Sequence, residues 1–566
     1  MFIVFEGIDG SGKTTISNRV AAALRARGLT VEHLREGGAF ASAVTQGIRD
    51  FCRDARNLAL TPRAELLMYV AREVQLADEV LKPALARADV VIADRYFYTA
   101  EVLAHAGRDL PREAIEPIVS AGAGGLWPDI AFLIDVDPSV ARGCRKVAKI
   151  LMPDHRPSSR KGLTGGGLQQ RLRDGYRELA DREPARWVVI DNSEADLEQV
   201  IERVLGIIER ARTVGAGEAI ALANVQPATA TNEPIADPFA ARDTFLAWVD
   251  RRSSREPLLA AYVLAGLSGS GVDERRQALV GRAPRVIARG LKGLSDAVSW
   301  QLRRRLVDAA PQEVAASLVD AAAQSNEAWA LREILSDVAP AEVAISLEGL
   351  DDETAWALRE DLYQQAPDAV LMSLALLASP RAWAMRERWL AERGDIEGAI
   401  SSYLAARAAA RSVTGLDGEQ AWTVRKAARA YSPVAALNSL RGLTSDKAWH
   451  WREGSLGLAP KAVMGTIAGL DDPRSWQMRL ATAPRCREAL DSMIGLDTEV
   501  GWEIRESCLM LWPASAVKSL GVLVSGPRGA ELLRAALAAF PRNITLLKHA
   551  TAIALGAHLA PTVLAA

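Results

Sequence analysis

The sequence predicts a chain of two unlike parts. The first is α/β, a parallel sheet flanked by helices; the second is an all-α solenoid of ~27-residue helix-pair repeats. Three observations predict this. Short β-rich runs alternate with helical stretches from Met1 to about Arg212. The alternation stops in a segment, 213–238, rich in Ala, Thr, Pro and Asn. From Phe239 onward the strand signal is gone and one tryptophan recurs at nearly constant spacing.

The strands come first. Phe2–Glu6, Thr30–Leu34, Asp89–Asp94, Asp129–Val136 and Trp187–Asp191 are mostly continuous apolar runs. A strand covered on both faces reads this way, whereas a half-exposed strand alternates. Between them, stretches such as AELLMYVAREVQLADEVLKPALA carry apolar residues at helical spacing. Strand–helix alternation implies parallel strands with helices on both faces. The Pro-containing segment 213–238 lacks strong periodicity and reads as a linker. The expected domains are therefore 1–212, the linker 213–238, and 239–566.

The third part repeats. Trp300, Trp329, Trp356, Trp383, Trp422, Trp449, Trp476 and Trp502 lie 26 to 29 residues apart, with one longer gap before Trp422. Three residues after each stands an arginine: Arg303, Arg332, Arg359, Arg386, Arg425, Arg452, Arg479 and Arg505. Eleven residues after most of the tryptophans stands a proline, as at Pro311, Pro340 and Pro367. An Asp in steps such as GLDDETAW can cap a first helix, and the Pro suits the first turn of a second. One such short pair cannot bury its apolar face alone, but stacked copies can. Degenerate copies extend the array to about Gly266–Leu291 and Gly526–Thr551. The architecture resembles HEAT-like repeats. The Trp reads as a wedge between helices. The Arg reads as its stacking partner or as an ion-pair partner of the next repeat; a row of arginines offered to a phosphorylated ligand is the alternative.

Bulk properties narrow the function classes. A chain of 566 residues is long enough for more than one domain, and 49% apolar with 24% charged residues is ordinary for a soluble protein. A net charge of −2 gives no general attraction to nucleic acid or anionic membrane. Cys52, Cys144, Cys486 and Cys508 are scattered without a C-x-x-C pair, against a disulfide framework or structural zinc. No apolar run is long enough to span a membrane, and Met1 leads directly into a strand-like run. The expectation is a cytoplasmic protein.

The chemistry starts at FEGIDGSGKTT, Phe5–Thr15. Gly7, four residues, then Gly12-Lys13-Thr14 is G-x-x-x-x-G-K-[ST], set between a strand and a helix as that motif requires. It predicts a phosphate-binding loop, and hence a sheet of the P-loop NTPase type. Glycines let successive N–H groups curl toward phosphate oxygens, and the next helix adds its positive dipole end. The ATP-binding candidates are Gly7, Ile8, Asp9, Gly10, Ser11, Gly12, Lys13, Thr14 and Thr15. Lys13 can reach the β- and γ-phosphates, and the Thr14 hydroxyl can ligate Mg²⁺.

Further motifs follow in order. REGG (Arg35–Gly38), Glu65–Leu85, VVIADRY (Val90–Tyr96), PDIAFLIDVDP (Pro128–Pro138) and RLRDGYRELA (Arg171–Ala180) lie along one stretch. Together with FEGIDGSGKTT they resemble the thymidylate kinase family from Met1 to about Ala211. That resemblance implies transfer of the ATP γ-phosphoryl group to dTMP, with ATP and Mg²⁺ required. It implies that Asp9 helps place the acceptor nucleotide, that Arg35 and Arg95 hold its phosphate, and that Asp94 organises the metal side. Tyr69, Arg72 and Thr99 complete the acceptor candidates. Between Arg142 and Arg177 lie ten Lys or Arg against Asp154 and Asp174. This basic stretch reads as a lid whose Arg156, Arg160 or Lys161 supplies the transition-state cation.

The acceptor side departs from the family. Glu73 falls where the family has Arg, and Arg72 sits one place early. The family's aromatic–amide pair falls on Leu103 and Ala104. A site that reads a base by hydrogen bonds loses discrimination when those groups go. Two functional readings result. One is a nucleoside monophosphate kinase, acting on dTMP by default, fused to an interaction solenoid. The other is a weakly active or inactive nucleotide-binding switch whose solenoid grips a protein partner, in signalling or defence. Both expect a protein partner rather than nucleic acid, and a homodimer is left open.

Overall fold

The apolar runs form five strands close to the expected bounds: β1 (Phe2–Glu6), β2 (Val31–His33), β3 (Val90–Asp94), β4 (Ile130–Asp135) and β5 (Trp187–Asp191). The computed structural model describes residues 1–35, 40, 42–152, 165, 167–193, 196–224, 234–319, 324–394 and 396–556. These divide into two units, 1–145 with 167–224, and 234–556 with 146–152 and 165.

In the first unit the strand order is β2-β3-β1-β4-β5, and every neighbouring pair is parallel. Phe5 of the central strand pairs with Asp94 on one side and Phe132 on the other. Each of β1, β3 and β4 is buried along its whole length, which is why their sequences do not alternate. Helix α1 (Lys13–Ala26) buries Ile16, Val20 and Leu24, and α9 (Leu197–Val214) buries Val204 and Ile208, in one cluster with Ile3, Ile130 and Val188. The helices of this unit are α2 (Ala43–Arg53), α3 (Pro62–Leu76), α4 (Lys82–Leu85), α5 (Phe97–Val102), α6 (Arg112–Ala123), the 138–145 part of α7 (Pro138–Leu151), and α8 (Gly167–Arg182).

The segment expected to be a linker opens instead with a helix, α10 (Ala216–Asn224). Gly215, at φ 97°, turns the chain after α9. Ala219, Ile220 and Ala223 then join the core cluster, and Asn224 Nδ2 donates to the Trp187 carbonyl at 3.0 Å. The composition hid a short apolar stripe at helical spacing.

In the second unit the tryptophan period is a helix pair. The first helices carry N-caps such as Asp352, whose side chain accepts from Ala355 N at 2.9 Å. The second helices begin at Pro311, Pro340, Pro367, Pro433, Pro460 and Pro513. In GLDD steps the Asp before the cap accepts the Trp indole N–H, as Asp351 does from Trp356 at 2.8 Å.

The eight arginines are fully buried or nearly so, and each guanidinium stacks 4.5 to 5.0 Å above its own tryptophan. Arg359 illustrates the set. Its Nε donates to Ser373 Oγ at 3.0 Å, and its Nη2 to the carbonyls of Leu347 at 2.7 Å and Leu350 at 2.8 Å. Leu347 lies just past a second helix of the preceding repeat, and Ser373 ends the second helix of its own. Each arginine thus staples helix carboxyl ends, where carbonyl oxygens lack intrahelical donors and the dipole favours a cation. This overturns two expectations. Among the described residues, Arg303, Arg359, Arg386, Arg425, Arg452, Arg479 and Arg505 bond carbonyls and hydroxyls rather than acids of the next repeat, and burial removes the set from any phosphorylated ligand. Other residues pair between repeats, including Arg381 with Glu353 at 3.1 Å and Arg474 with Asp446 at 2.9 Å.

The array closes on itself. Its first helix, α11 (Pro238–Ser253), packs against its last, Ile544–Ala554, as well as against the next helix, Pro257–Val263. A methyl group built on Gly269 would touch Leu555 Cδ2 at 3.3 Å. An open solenoid leaves its terminal helices with one neighbour; here the two ends cover each other.

Candidate functional site

In a parallel sheet, ligands collect at the carboxyl ends of the strands. Gly7, Arg35 and Arg95 follow β1, β2 and β3, Asp135 ends β4, and Asn192 follows β5.

The loop after β1 is shaped by backbone that only glycine adopts easily. Gly7, Gly10 and Gly12 have φ of 141°, 91° and 90°. A Cβ on Gly7 would lie 2.5 Å from the Ile134 carbonyl oxygen, so the loop can sit against β4 only without one. Ile8 and Ser11 are buried in the loop wall, and Asn192 Nδ2 fixes the Ser11 carbonyl at 2.8 Å. Lys13 Nζ reaches back to the Ile8 carbonyl at 3.1 Å. Burial pulls the Lys13 pKa down to about 8, with Arg95 adding to that effect. Thr15 is exposed on α1.

Thr14 Oγ1 donates to Asp94 Oδ2 at 2.5 Å. Asp94 Oδ1 is buried and, among the described residues, has no hydrogen-bond partner. Burial alone would raise the Asp94 pKa, but Lys13, Arg35 and Arg95 outweigh it and hold the carboxylate below its ordinary range. An ionised, partly unsatisfied carboxylate beside a hydroxyl at the mouth of a phosphate loop fits Mg²⁺. Among the described residues no cluster of three or more His, Cys, Asp or Glu could hold a metal. A few protein oxygens with water and phosphate is the usual ligand set for this ion.

Arg35 and Arg95 lie near each other, both within electrostatic reach of Asp94. Arg35 Nη1 lies 3.3 Å from Asp94 Oδ2. Arg95 Nη2 lies 2.6 Å from Asp9 Oδ1, and its Nη1 donates to Thr99 Oγ1 at 3.1 Å and Tyr176 OH at 3.0 Å. Burial disfavours the Arg95 charge, yet Tyr176, Asp9, Glu6 and Asp94 more than compensate and raise its pKa. A small cleft here is lined by Gly7, Asp9, Arg95, Leu103, Leu172 and Tyr176. Leu103 opens a π-helical turn, Leu103–Gly107, which continues α5.

Tyr69 and Arg72 lie on α3, both buried. Arg72 turns its guanidinium over the Tyr69 ring at 4.6 Å and near the Phe40 ring at 5.6 Å, while bonding Glu73. Arg35 lies over the same Phe40 ring at 5.3 Å. Buried Arg72 Nε and Glu73 Oε2 have no hydrogen-bond partner among the described residues. So Arg72 shares the Phe40 ring with Arg35 despite its shifted position, and Glu73 is held against it.

Sequence reasoning missed Arg49, whose pKa is pulled down to about 10 by burial and by Arg53 and Arg35. It also missed Glu6 and Tyr176. A carboxylate ending an apolar strand run was the available signal for Glu6. Asp135, held by Arg173 at 2.7 Å and Arg177 at 2.6 Å, ties two basic residues of α8 to the sheet. Arg156, Arg160 and Lys161, expected as lid cations, lie outside the described residues, as do Glu36–Gly38 of REGG.

A glycine-lined loop of the phosphate-binding type beside a second group of cations at a sheet edge marks the class of P-loop phosphotransferases. The family model described as Thymidylate kinase matches residues 5–204. The thymidylate kinase of Solidesulfovibrio magneticus is 35% identical over 209 residues, covering 37% of this chain and 98% of that protein. That of Trichlorobacter lovleyi is 36% identical over 193 residues, covering 34% and 89%. A solved thymidylate kinase from Ehrlichia chaffeensis is 27% identical, covering 37% of this chain and 98% of that one, with a TM-score of 0.29. Through this first third the chain belongs to the thymidylate kinase family, and it is a nucleoside monophosphate kinase.

Proposed function

We propose that this chain transfers the terminal phosphoryl group of ATP to dTMP, giving dTDP. The observation that carries the reading is Arg95: fixed between Asp9 and Tyr176, it faces the phosphate loop from the end of the neighbouring strand. Phosphoryl transfer is mainly positioning and charge neutralisation. The loop N–H groups and Lys13 would hold the donor phosphates. Arg35 and Arg95 would hold the acceptor phosphate by bidentate contacts, releasing Asp94 and Asp9 as they engage it. Thr14 and Asp94 would hold Mg²⁺, which when bound offsets charge on the donor phosphates. Asp9 would orient the acceptor sugar, and Tyr69 with Arg72 would flank its base. Arg156 or Arg160 would supply the remaining cation from the lid. The helical array would serve as a protein-binding module; its balanced charge supports a protein partner over nucleic acid.

The test is product formation. The full chain is incubated with ATP, Mg²⁺ and a panel of nucleoside monophosphates, with Lys13→Ala as the control. The expected result is dTDP, reduced about 100-fold or more in the variant. Saturable ATP binding with no diphosphate from any acceptor would overturn the kinase reading in favour of a nucleotide-binding switch.

A further inference from the structure

Glu6 is the last residue of β1, and its side chain is fully buried. Its carboxylate has no route to substrate because its surroundings use it. The Tyr96 backbone N–H donates to Oε1 at 2.8 Å. Thr99 Oγ1 and Tyr176 OH donate to Oε2 at 2.8 and 3.0 Å. Arg95 Nη1 stands 3.7 Å from the same oxygen.

Arg95 is a non-glycine residue in the left-handed region, at φ 82°. Such a conformation persists only where its surroundings over-determine it. The end of β1 does this from both sides: the Phe5 carbonyl accepts Arg95 N–H at 3.0 Å, and Glu6 accepts the next N–H along, that of Tyr96.

The hydroxyls carry the argument further. Thr99 and Tyr176 lie 2.9 Å apart and both reach Glu6; since Arg95 Nη1 can only donate and the carboxylate only accepts, the pair's protons belong on the Glu6 side of the network and away from Arg95. Their lone pairs are therefore left to accept Arg95 Nη1, at 3.1 and 3.0 Å. The carboxylate sets the polarity of both hydroxyls, and the hydroxyls hold the guanidinium. Tyr176 lies on α8, the helix that follows the basic stretch, so the seating of that helix enters the same network.

We propose that Glu6 is a positioning residue for Arg95, acting through Thr99 and Tyr176, and that it thereby sets the affinity of the acceptor-phosphate site. This rests on the kinase reading above. Glu6→Gln is the sharp test because it keeps shape and changes polarity. If the amide oxygen keeps the Tyr96 N–H, the NH₂ group faces both hydroxyls. Each must then accept from it and turn its proton toward Arg95. Glu6→Gln is expected to raise the acceptor KM about tenfold while the ATP KM stays within about twofold. Tyr176→Phe, which removes one hydroxyl of α8 and keeps the ring, is expected to shift the acceptor KM the same way by less. The double variant is expected to fall short of the product of the two effects, because they share one network.

Calorimetric binding of dTMP is read beside turnover. Folded variants with unchanged acceptor KM and dTMP affinity, or with both KM values raised equally, overturn the proposal. A wild-type chain that binds dTMP without turning it over overturns the kinase reading alone, and the affinity ratio still decides Glu6. A wild-type chain that binds no monophosphate overturns both.

Discussion

Arg95 and Arg359 are the same residue in opposite settings. Arg95 faces a cleft, in a left-handed backbone, among carboxylates that raise its pKa. Arg359 is sealed between a tryptophan and helix carboxyl ends, and burial draws its pKa down to about 10 despite Asp351 and Asp352. The partners decide what each can do. Asp9 is partly exposed and can yield its place to a phosphate oxygen. Leu347, Leu350 and Ser373 are fixed parts of the array, so Arg359 has nothing to exchange. A buried cation beside acids at a sheet edge is a site; a buried cation on carbonyls is a staple.

The largest effect should come from Arg95→Met. Turnover is expected to fall about 1,000-fold, since a charge-assisted contact to the reacting groups is lost, while the thermal midpoint stays near that of the wild type. If turnover survives, the acceptor phosphate is held elsewhere. Opening the closed array should have the next largest effect. Truncation after Arg542 removes the helix that packs on α11, whose Phe245, Leu246 and Val249 are buried in the intact array. The unfolding free energy is expected to fall by about 4 kcal/mol, as for burying two or three large apolar side chains. Loss of signal from a few terminal residues only, in hydrogen exchange, would mean that the ends act independently.

Arg359→Met is expected to cost about 3 kcal/mol in denaturant unfolding, because several buried acceptors lose their donor together. It sharpens the comparison with Arg95→Met: the same substitution should remove activity at one position and stability at the other. A stable Arg359→Met chain would mean that tryptophan and helix packing hold the repeat without the guanidinium.

How much of this was legible in the sequence depended on how local each signal is. Strand runs, the Gly7–Thr14 loop and the Trp–Arg period are local, and the chain folds accordingly. The second half of each staple is nearly local. Ser317, Ser346, Ser373 and Ser439 each lie 14 residues after their arginine, a column hidden only because serine is common. The Glu6 network joins residues 90 and 170 positions away, and array closure joins helices about 300 residues apart; no spacing rule reaches so far. Helix α10 was masked by composition: Pro and Thr just beyond it outweighed the stripe of Ala219, Ile220 and Ala223.

The smallest effect concerns Lys13 and pH. Lys13 has its pKa drawn from 10.5 to about 8, chiefly by burial, so the neutral amine becomes populated just above physiological pH. Only the charged form attracts phosphate, and bound phosphate would favour that form. The KM for ATP is therefore expected to rise about tenfold between pH 7 and pH 9, while the Lys13→Arg variant stays flat over that range. Stability should move in the opposite direction. With a folded pKa below the unfolded one, the unfolded chain binds more protons between about pH 8 and 10.5, so the Lys13 contribution to stability rises with pH there. Weaker ATP binding together with firmer folding over one pH window is a combination that general alkaline damage cannot produce. A KM for ATP unchanged to pH 9 would mean that Lys13 is solvated well enough to keep its proton.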